Sequence, residues 1–269
     1  MDTNNTVTVS VVIPTRNSAS HIVRAIDSVR GQTSSTLECI VVDSCSSDGT
    51  ASLARESGAT VVVADSSMTR ARLIGANLAR GDYILNLDSD QILLPTSVKQ
   101  AIETRADIVA LGETSAGTGL VWRLTSMDRE AISVDWRANL DPVRGAVRPR
   151  MYRRELLLRS LRNIPDSIID LRPCPYSEDS LIYLGAYSGC ERVAFVPDAV
   201  IHSEMEQLVP FLKKWSRYGV AARAYRGTKY EFLVRARGGL SSRGTKAIRS
   251  VPSLLLRGIP FAAGYFFGR

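Results

Sequence analysis

"YILNLDSDQILL", residues 83–94, ends an apolar run on two acids spaced two apart. Tyr83, Ile84, Leu85 and Leu87 read as a buried strand, and Asp is depleted in strands. Extended backbone turns residues i and i+2 to one face, so the spacing predicts Asp88 and Asp90 side by side. At an effective dielectric of about 20 and a separation of about 5 Å they repel by roughly 3 kcal/mol. A bound cation, a shared proton or exposure in a solvated turn would each relieve that repulsion.

Upstream of this stretch, strands and helices alternate. Strands are predicted at 7–13, 37–42 and 60–64, with helices at 21–31, 50–58 and 69–81. Ile22, Ile26 and Val29 share one helical face, and Gly31, Gly58 and Gly81 are placed to stop the three helices. Downstream, a helix over 96–104 follows Pro95, and "DIVAL" (107–111) is a fifth strand. This alternation predicts an α/β fold with a mostly parallel central sheet covered by helices on both faces. Ligands in such sheets sit beyond the carboxyl ends of the strands. "PTRN" (14–17), "DSCSSDGT" (43–50) and "DSD" (88–90) all follow strands, so they should line one crevice. No GxGxxG follows the first strand and no GxxxxGKS/T occurs, so phosphate must be held by a metal and basic side chains.

Composition narrows the class. With 45% hydrophobic and 23% charged residues, the 269-residue chain is an ordinary globular sequence rather than a disordered one. A formal net charge of +7 favours anionic partners such as phosphorylated substrates or an acidic membrane surface. Nucleic acid is not expected, because the basic residues are not interleaved with aromatics in a recognisable module. Cys39, Cys45, Cys174 and Cys190 form no CxxC pair, which disfavours a zinc cluster and suits a reducing compartment. The N-terminal residues lack a signal peptide's apolar core, and the most apolar C-terminal stretch is interrupted by Arg257. A cytoplasmic location is expected, peripheral on the cytoplasmic face of the membrane.

Four blocks, "VSVVIPTRN", "IVVDSCSSDGT", "ARLIGANLARGDYILNLDSD" and "SEDSLIYLGAYSGCERVAFVPDAVIHSE", resemble the inverting family-2 glycosyltransferases of GT-A fold. The resemblance implies a Rossmann-like GT-A domain over 1–229. Its nucleotide-sugar half would be 1–112 and its acceptor half 113–229. Pro14, Thr15, Asn17, Asp43, Arg72 and Asp88 match positions that bind the nucleotide sugar. Asp88, Asp90 and His202 match the metal and diphosphate side, with Mn²⁺ or Mg²⁺ as cofactor. Glu178 and Asp179 match the catalytic acids at the acceptor, Asp179 as the base. The implied partners are a nucleoside-diphosphate sugar donor and a sugar or lipid-linked acceptor. Where the family usually reads "VDDGS" this chain has "VDSCS", and Leu73 replaces an asparagine after the arginine. The region 113–150 matches nothing assignable.

Elementary chemistry fits these roles. A hard cation on carboxylates and phosphate oxygens stabilises a leaving diphosphate, and a nitrogen ligand such as His202 favours Mn²⁺. A carboxylate can deprotonate the acceptor hydroxyl. Ser177 is placed as an N-cap, and Glu178 and Asp179 suit the positive end of a helix dipole. Phe211, Trp215 and Tyr218 form an aromatic stripe suited to a core or a ligand site. Lys213, Lys214 and Arg217 on other faces suit a solvated surface or contact with the diphosphate. Residues 230–269 hold Arg235, Arg237, Arg243, Lys246, Arg249, Arg257 and Arg269 against the single acid Glu231. They are predicted to be an amphipathic tail lying on an anionic membrane, broken by Pro252 and Pro260 into short helices. Other readings of the chain are a polyprenyl-phosphate glycosyltransferase, a nucleotidyltransferase and a degenerate membrane-bound module.

Overall fold

The structure is a computed structural model that describes residues 7–33, 37–123, 126, 140–142, 149–172, 174, 177–203, 207–236 and 247–268. Eight strands form one sheet: β1 Val9–Thr15, β2 Leu37–Asp43, β3 Thr60–Val63, β4 Tyr83–Asn86, β5 Gln91–Leu93, β6 Ile108–Ala116, β7 Pro149–Arg153 and β8 Val193–Ser203. Their order is β3-β2-β1-β4-β7-β6-β8-β5. β7 and β5 run against the rest, so the sheet is mostly parallel as expected. Both expected halves share this sheet.

Helices cover both faces. On one, α1 Ile22–Arg30, α2 Thr50–Glu56 and α4 Ser97–Glu103 bury Ile22, Ile26, Ala54, Val98 and Ala101 in one core with residues of β1, β2, β4, β6 and β8. On the other, α3 Met68–Leu78, α5 Arg154–Arg162 and α7 Glu178–Tyr187 bury Ala71, Leu157, Leu161, Leu181 and Tyr183. A short α6, Asp166–Ile169, joins that second core. α3 lies close on β1 because residue 75 is glycine, where a Cβ would sit 2.3 Å from Val12 Cγ1. One turn earlier, the same helix carries Arg72 into the buried site, at 2% exposure.

Several expectations need correction. β4 stops at Asn86, and Asp88 to Asp90 lie in the turn leading to β5, so the strand alternation does not apply to the two acids. Residues 91–93, which carried no separate assignment, pair antiparallel with β8. The fifth expected strand, 107–111, extends as β6 to Ala116 through an irregularity. Leu111 pairs with Val196 but Glu113 with Val200, so β8 carries two extra residues there. Such bulges re-aim side chains.

The C-terminal region departs most. α8 Leu208–Ala222 is followed by a 3-10 turn Arg223–Tyr225 and α9 Glu231–Ala236. α10 Ala247–Phe267 is one helix of 21 residues, not short pieces broken at Pro252 and Pro260. An interior proline costs about 3 kcal/mol, and tertiary contact offsets it here. A Cβ at Gly219 of α8 would lie 2.0 Å from Phe261 O, and one at Gly264 of α10 would lie 1.9 Å from Ser216 O. The glycines therefore let the two backbones touch. The aromatic stripe belongs to this packing: Phe211 is buried, Trp215 meets Phe211 at a tilt and Tyr218 edge-on, and Arg257 lies 5.3 Å from the Trp215 ring centroid. Lys213, Lys214 and Arg217 are exposed. Among the described residues no helix is long and apolar enough to cross a membrane.

Candidate active site

Three loops meet at the carboxyl edge of β1, β2 and β4, as the strand ends require. Thr15 and Asp43 are register partners at the ends of β1 and β2. Pro14 is the penultimate residue of β1. The Thr15 hydroxyl is buried without a hydrogen-bond partner among the described residues. Asn17 adopts φ 49°, and its Oδ1 accepts from Ser47 N at 2.9 Å. Asp43 accepts from Ser46 N at 2.9 Å and from the Ser46 hydroxyl, so the serine of "DSCS" closes the turn that follows β2. Ser89 Oγ donates to Ser18 Oγ at 3.0 Å, tying the acidic turn to the first loop.

Beside these loops sits a connected set of charges. Arg72 donates from Nη2 to Asp88 Oδ1 at 2.7 Å and from Nε to Glu178 Oε1 at 3.0 Å. Arg150 of β7 donates from Nη1 to the other Asp88 oxygen at 3.0 Å and from Nη2 to Glu113 Oε1 at 2.7 Å. The same Nη1 lies 3.9 Å from Asp179 Oδ1. His202 Nδ1 faces Glu113 Oε2 at 3.2 Å, and its Nε2 faces Asp90 Oδ2 at 3.4 Å. Gln91 donates to Glu113 at 3.3 Å and accepts from the Asp88 backbone N–H at 3.0 Å. The two acids of the quoted stretch therefore point to different partners: Asp88 to two guanidiniums, Asp90 to an imidazole. Their mutual repulsion is relieved by separate pairing rather than by one shared partner.

Burial gives these pairs their force. Burial alone would push the Asp88 carboxyl up, but Arg150 and Arg72, with His202, hold it below the usual carboxylate range. Glu178, at 6% exposure, is the opposite case: burial pushes it up and Arg72 only partly counters that. Burial works against both guanidiniums, and the surrounding carboxylates outweigh it. Arg72 and Arg150 face four carboxylates, Asp88, Glu113, Glu178 and Asp179, and His202 faces Asp90, so carboxylates outnumber cationic side chains in the cluster.

The expected "ED" pair divides by environment. Glu178 is an internal partner of Arg72, while Asp179 is 25% exposed. Ser177 occupies the N-cap but in a left-handed conformation (φ 55°), with no side-chain cap bond, so the expected capping does not occur. Glu113, Arg150 and Gln91 were not anticipated. Their signals were a glutamate closing the apolar run of β6 and an arginine between Pro149 and Met151.

The donor set suits a hard divalent cation. Asp90 offers a carboxylate and His202 an imidazole nitrogen. Among the described residues no group of three or more His, Cys, Asp or Glu could hold a metal ion. Among the described residues the buried Arg72 Nη1 has no hydrogen-bond partner.

The Glycosyl transferase family 2 profile matches residues 10–158, more than half the chain. The chain is similar to the succinoglycan biosynthesis protein ExoO of Rhizobium meliloti, 33% identical over 160 residues, covering 58% of this chain and 44% of that one. It is 33% identical to the chondroitin synthase of Escherichia coli over 107 residues, covering 37% of this chain and 16% of that one. It thus spans less than half the length of these curated relatives. In structure it resembles S. aureus TarS 1-349 in complex with UDP, with TM-score 0.58 and 18% identity, covering 96% and 88% of the two chains. It also resembles a mannosyltransferase from Pyrobaculum calidifontis in complex with GDP-Man and Mn²⁺, with TM-score 0.56 and 19% identity, covering 95% and 77%. These likenesses place the sheet and its helices in the GT-A fold. With the profile spanning strands β1 to β7 and the acidic turn, the chain belongs to glycosyl transferase family 2.

Proposed function

We propose that this chain transfers a sugar from a nucleoside-diphosphate sugar to an acceptor hydroxyl, with inversion and with a divalent cation. The observation that carries the reading is the carboxylate-rich cluster at the carboxyl edge of the sheet, where Asp90 and His202 face one another beside two buried arginines. Solved neighbours hold UDP, UDP-GlcNAc or GDP-Man with Mn²⁺, which supports a nucleotide-sugar donor. Pro14, Thr15, Asn17 and Asp43 would hold the nucleotide at the loops. Asp90 and His202 would hold Mn²⁺ or Mg²⁺ with the diphosphate oxygens. Asp88 joins them through Arg72 and Arg150 rather than by a free carboxylate edge.

When bound, the cation neutralises the charge that gathers on the leaving diphosphate. Arg72, paired with Asp88, adds a fixed positive charge beside the same site. Asp179 accepts the acceptor's hydroxyl proton. The acceptor oxygen forms a bond to the anomeric carbon as the carbon–phosphate-oxygen bond breaks, and the nucleoside diphosphate leaves with that electron pair. Attack from the opposite face inverts the anomeric centre. An acceptor hydroxyl needs such a base, whereas a phosphate acceptor is already ionised. This favours a sugar hydroxyl, with a lipid-linked glycan as the candidate.

The tail supports membrane attachment. α10 exposes Leu255, Ile259, Phe266 and Phe267, and α8 exposes Leu208 and Val209. Residues 255, 259 and 266 share one helical face, and the segment is strongly basic. Apolar side chains with flanking cations suit an anionic membrane interface, each cation contributing about 1 kcal/mol. A screen of UDP- and GDP-sugars with Mn²⁺ tests the reading. Slow release of nucleoside diphosphate and a sugar of inverted anomeric configuration, read by proton NMR, is expected. No release from any donor, or retained configuration, would contradict it.

A further inference from the structure

We propose that Glu113 is a positioning residue that fixes the His202 ring, with Nδ1–H held inward and Nε2 turned toward Asp90. The proposal deepens the cation site described under the proposed function and rests on that reading for its catalytic consequence.

The strands are built for this contact. His202 of β8 is the register partner of both Ser115 of β6 and Gln91 of β5. Glu113 lies two residues before Ser115, so it shares that face of the sheet. The irregularity between Leu111 and Glu113 resets the register of β6 on β8 just before these residues.

The Glu113 carboxylate is itself held. Oε1 accepts from Arg150 Nη2 at 2.7 Å, from Arg150 Nε at 3.1 Å and from Gln91 Nε2 at 3.3 Å. Oε2 faces His202 Nδ1 at 3.2 Å. A carboxylate paired to a guanidinium only accepts hydrogen bonds. The ring nitrogen facing it must therefore be the donor. Asp90 is likewise an acceptor, 3.4 Å from Nε2, so two carboxylates compete for the ring proton; Glu113, the closer at 3.2 Å and only 6% exposed, takes it in the neutral ring and leaves the lone pair on Nε2. A second carboxylate behind a ligating histidine fixes both tautomer and ring angle. Arg150 then has two roles: it anchors Glu113 behind His202, and it pairs with Asp88 on the other side.

The chain has two histidines, His21 and His202, so imidazole nitrogen NMR can read the tautomer directly. The experiment uses full-length protein at about pH 9, where an ordinary imidazole is neutral, with His21→Gln for assignment. Glu113→Asp keeps the charge against Arg150 and withdraws the oxygen from the ring; Glu113→Ala removes it. The wild type should show His202 protonated at Nδ1, and both variants should shift toward the Nε2–H form. Mn²⁺ affinity in the presence of UDP, read by electron paramagnetic resonance, should fall about 10–100-fold in the variants. A folded Glu113→Asp protein that keeps the Nδ1–H form overturns the proposal, as does unchanged Mn²⁺ affinity. A wild type that binds no Mn²⁺ with UDP contradicts the cation site instead, and the tautomer still decides the role of Glu113.

Discussion

Arg150 Nη1 lies 3.0 Å from Asp88 Oδ2, joining the antiparallel strand β7 to the acidic turn after β4. The pair is consequential because Arg150 is 4% exposed and holds Glu113 as well. Breaking a buried charge pair from one side leaves the other charge unpaired, at a cost of about 3–5 kcal/mol. We expect Arg150→Met to lower stability by about that amount in urea unfolding. Arg150→Lys should lose less, because the charge stays while the fork is lost. Equal stability of wild type and Arg150→Met would show that this network does not hold the site.

Glu178 and Asp179 are adjacent but should respond differently. Asp179→Asn is expected to keep donor affinity and slow transfer by roughly 10²–10⁴-fold. Glu178→Gln removes the charge facing buried Arg72 Nε, so its main effect should be a lower unfolding midpoint. Transfer assays and thermal unfolding on the two variants separate the roles. Full transfer activity in Asp179→Asn would reassign the base.

The helix pair at the C-terminus depends on glycine. A Cβ at residue 264 would sit 1.9 Å from Ser216 O, so Gly264→Val must push α10 off α8. Overpacking of this kind costs about 1–3 kcal/mol. We expect limited proteolysis to cut the C-terminal region faster in this variant while nucleotide binding is retained. Unchanged protection would show that the helices do not pack through this seam.

Membrane attachment predicts a salt-sensitive equilibrium. Full-length protein should sediment with anionic liposomes at low salt and less at high salt. Phe266→Ser with Phe267→Ser should weaken sedimentation, since both rings are exposed. Protein truncated after Gly238 should stay in the supernatant and still bind nucleotide. A full-length protein that never sediments would contradict the attachment.

The first half of the fold was legible because its strands are continuous apolar runs and its helices carry a 3.6-residue period. That located the three loops and the acidic turn, while Asp43 and Arg72 were singled out by the resemblance to the family. The antiparallel strands were not legible. β5 is three residues long, and β7 holds Arg150 within "PRMYR", where no period marks a buried guanidinium. Glu113 depends on a shift in register that only the pairing of β6 with β8 reveals. The prolines of α10 read as breaks because local cost was visible and the contact between Gly219 and Phe261 was not. Spacing in the quoted stretch suggested paired carboxylates, yet the turn after β4 gives each its own partner.

Asp90, 39% exposed and facing His202 Nε2, bears the central claim most directly. Calorimetric titration of UDP into the protein, with Mn²⁺ and then with excess chelator, should show binding that depends on the cation. Asp90→Ala, whose exposed side chain carries little of the fold, should lose that dependence and keep the wild-type unfolding midpoint. Equal UDP affinity in both proteins, with or without chelator, would contradict a cation-dependent donor site at this edge of the sheet.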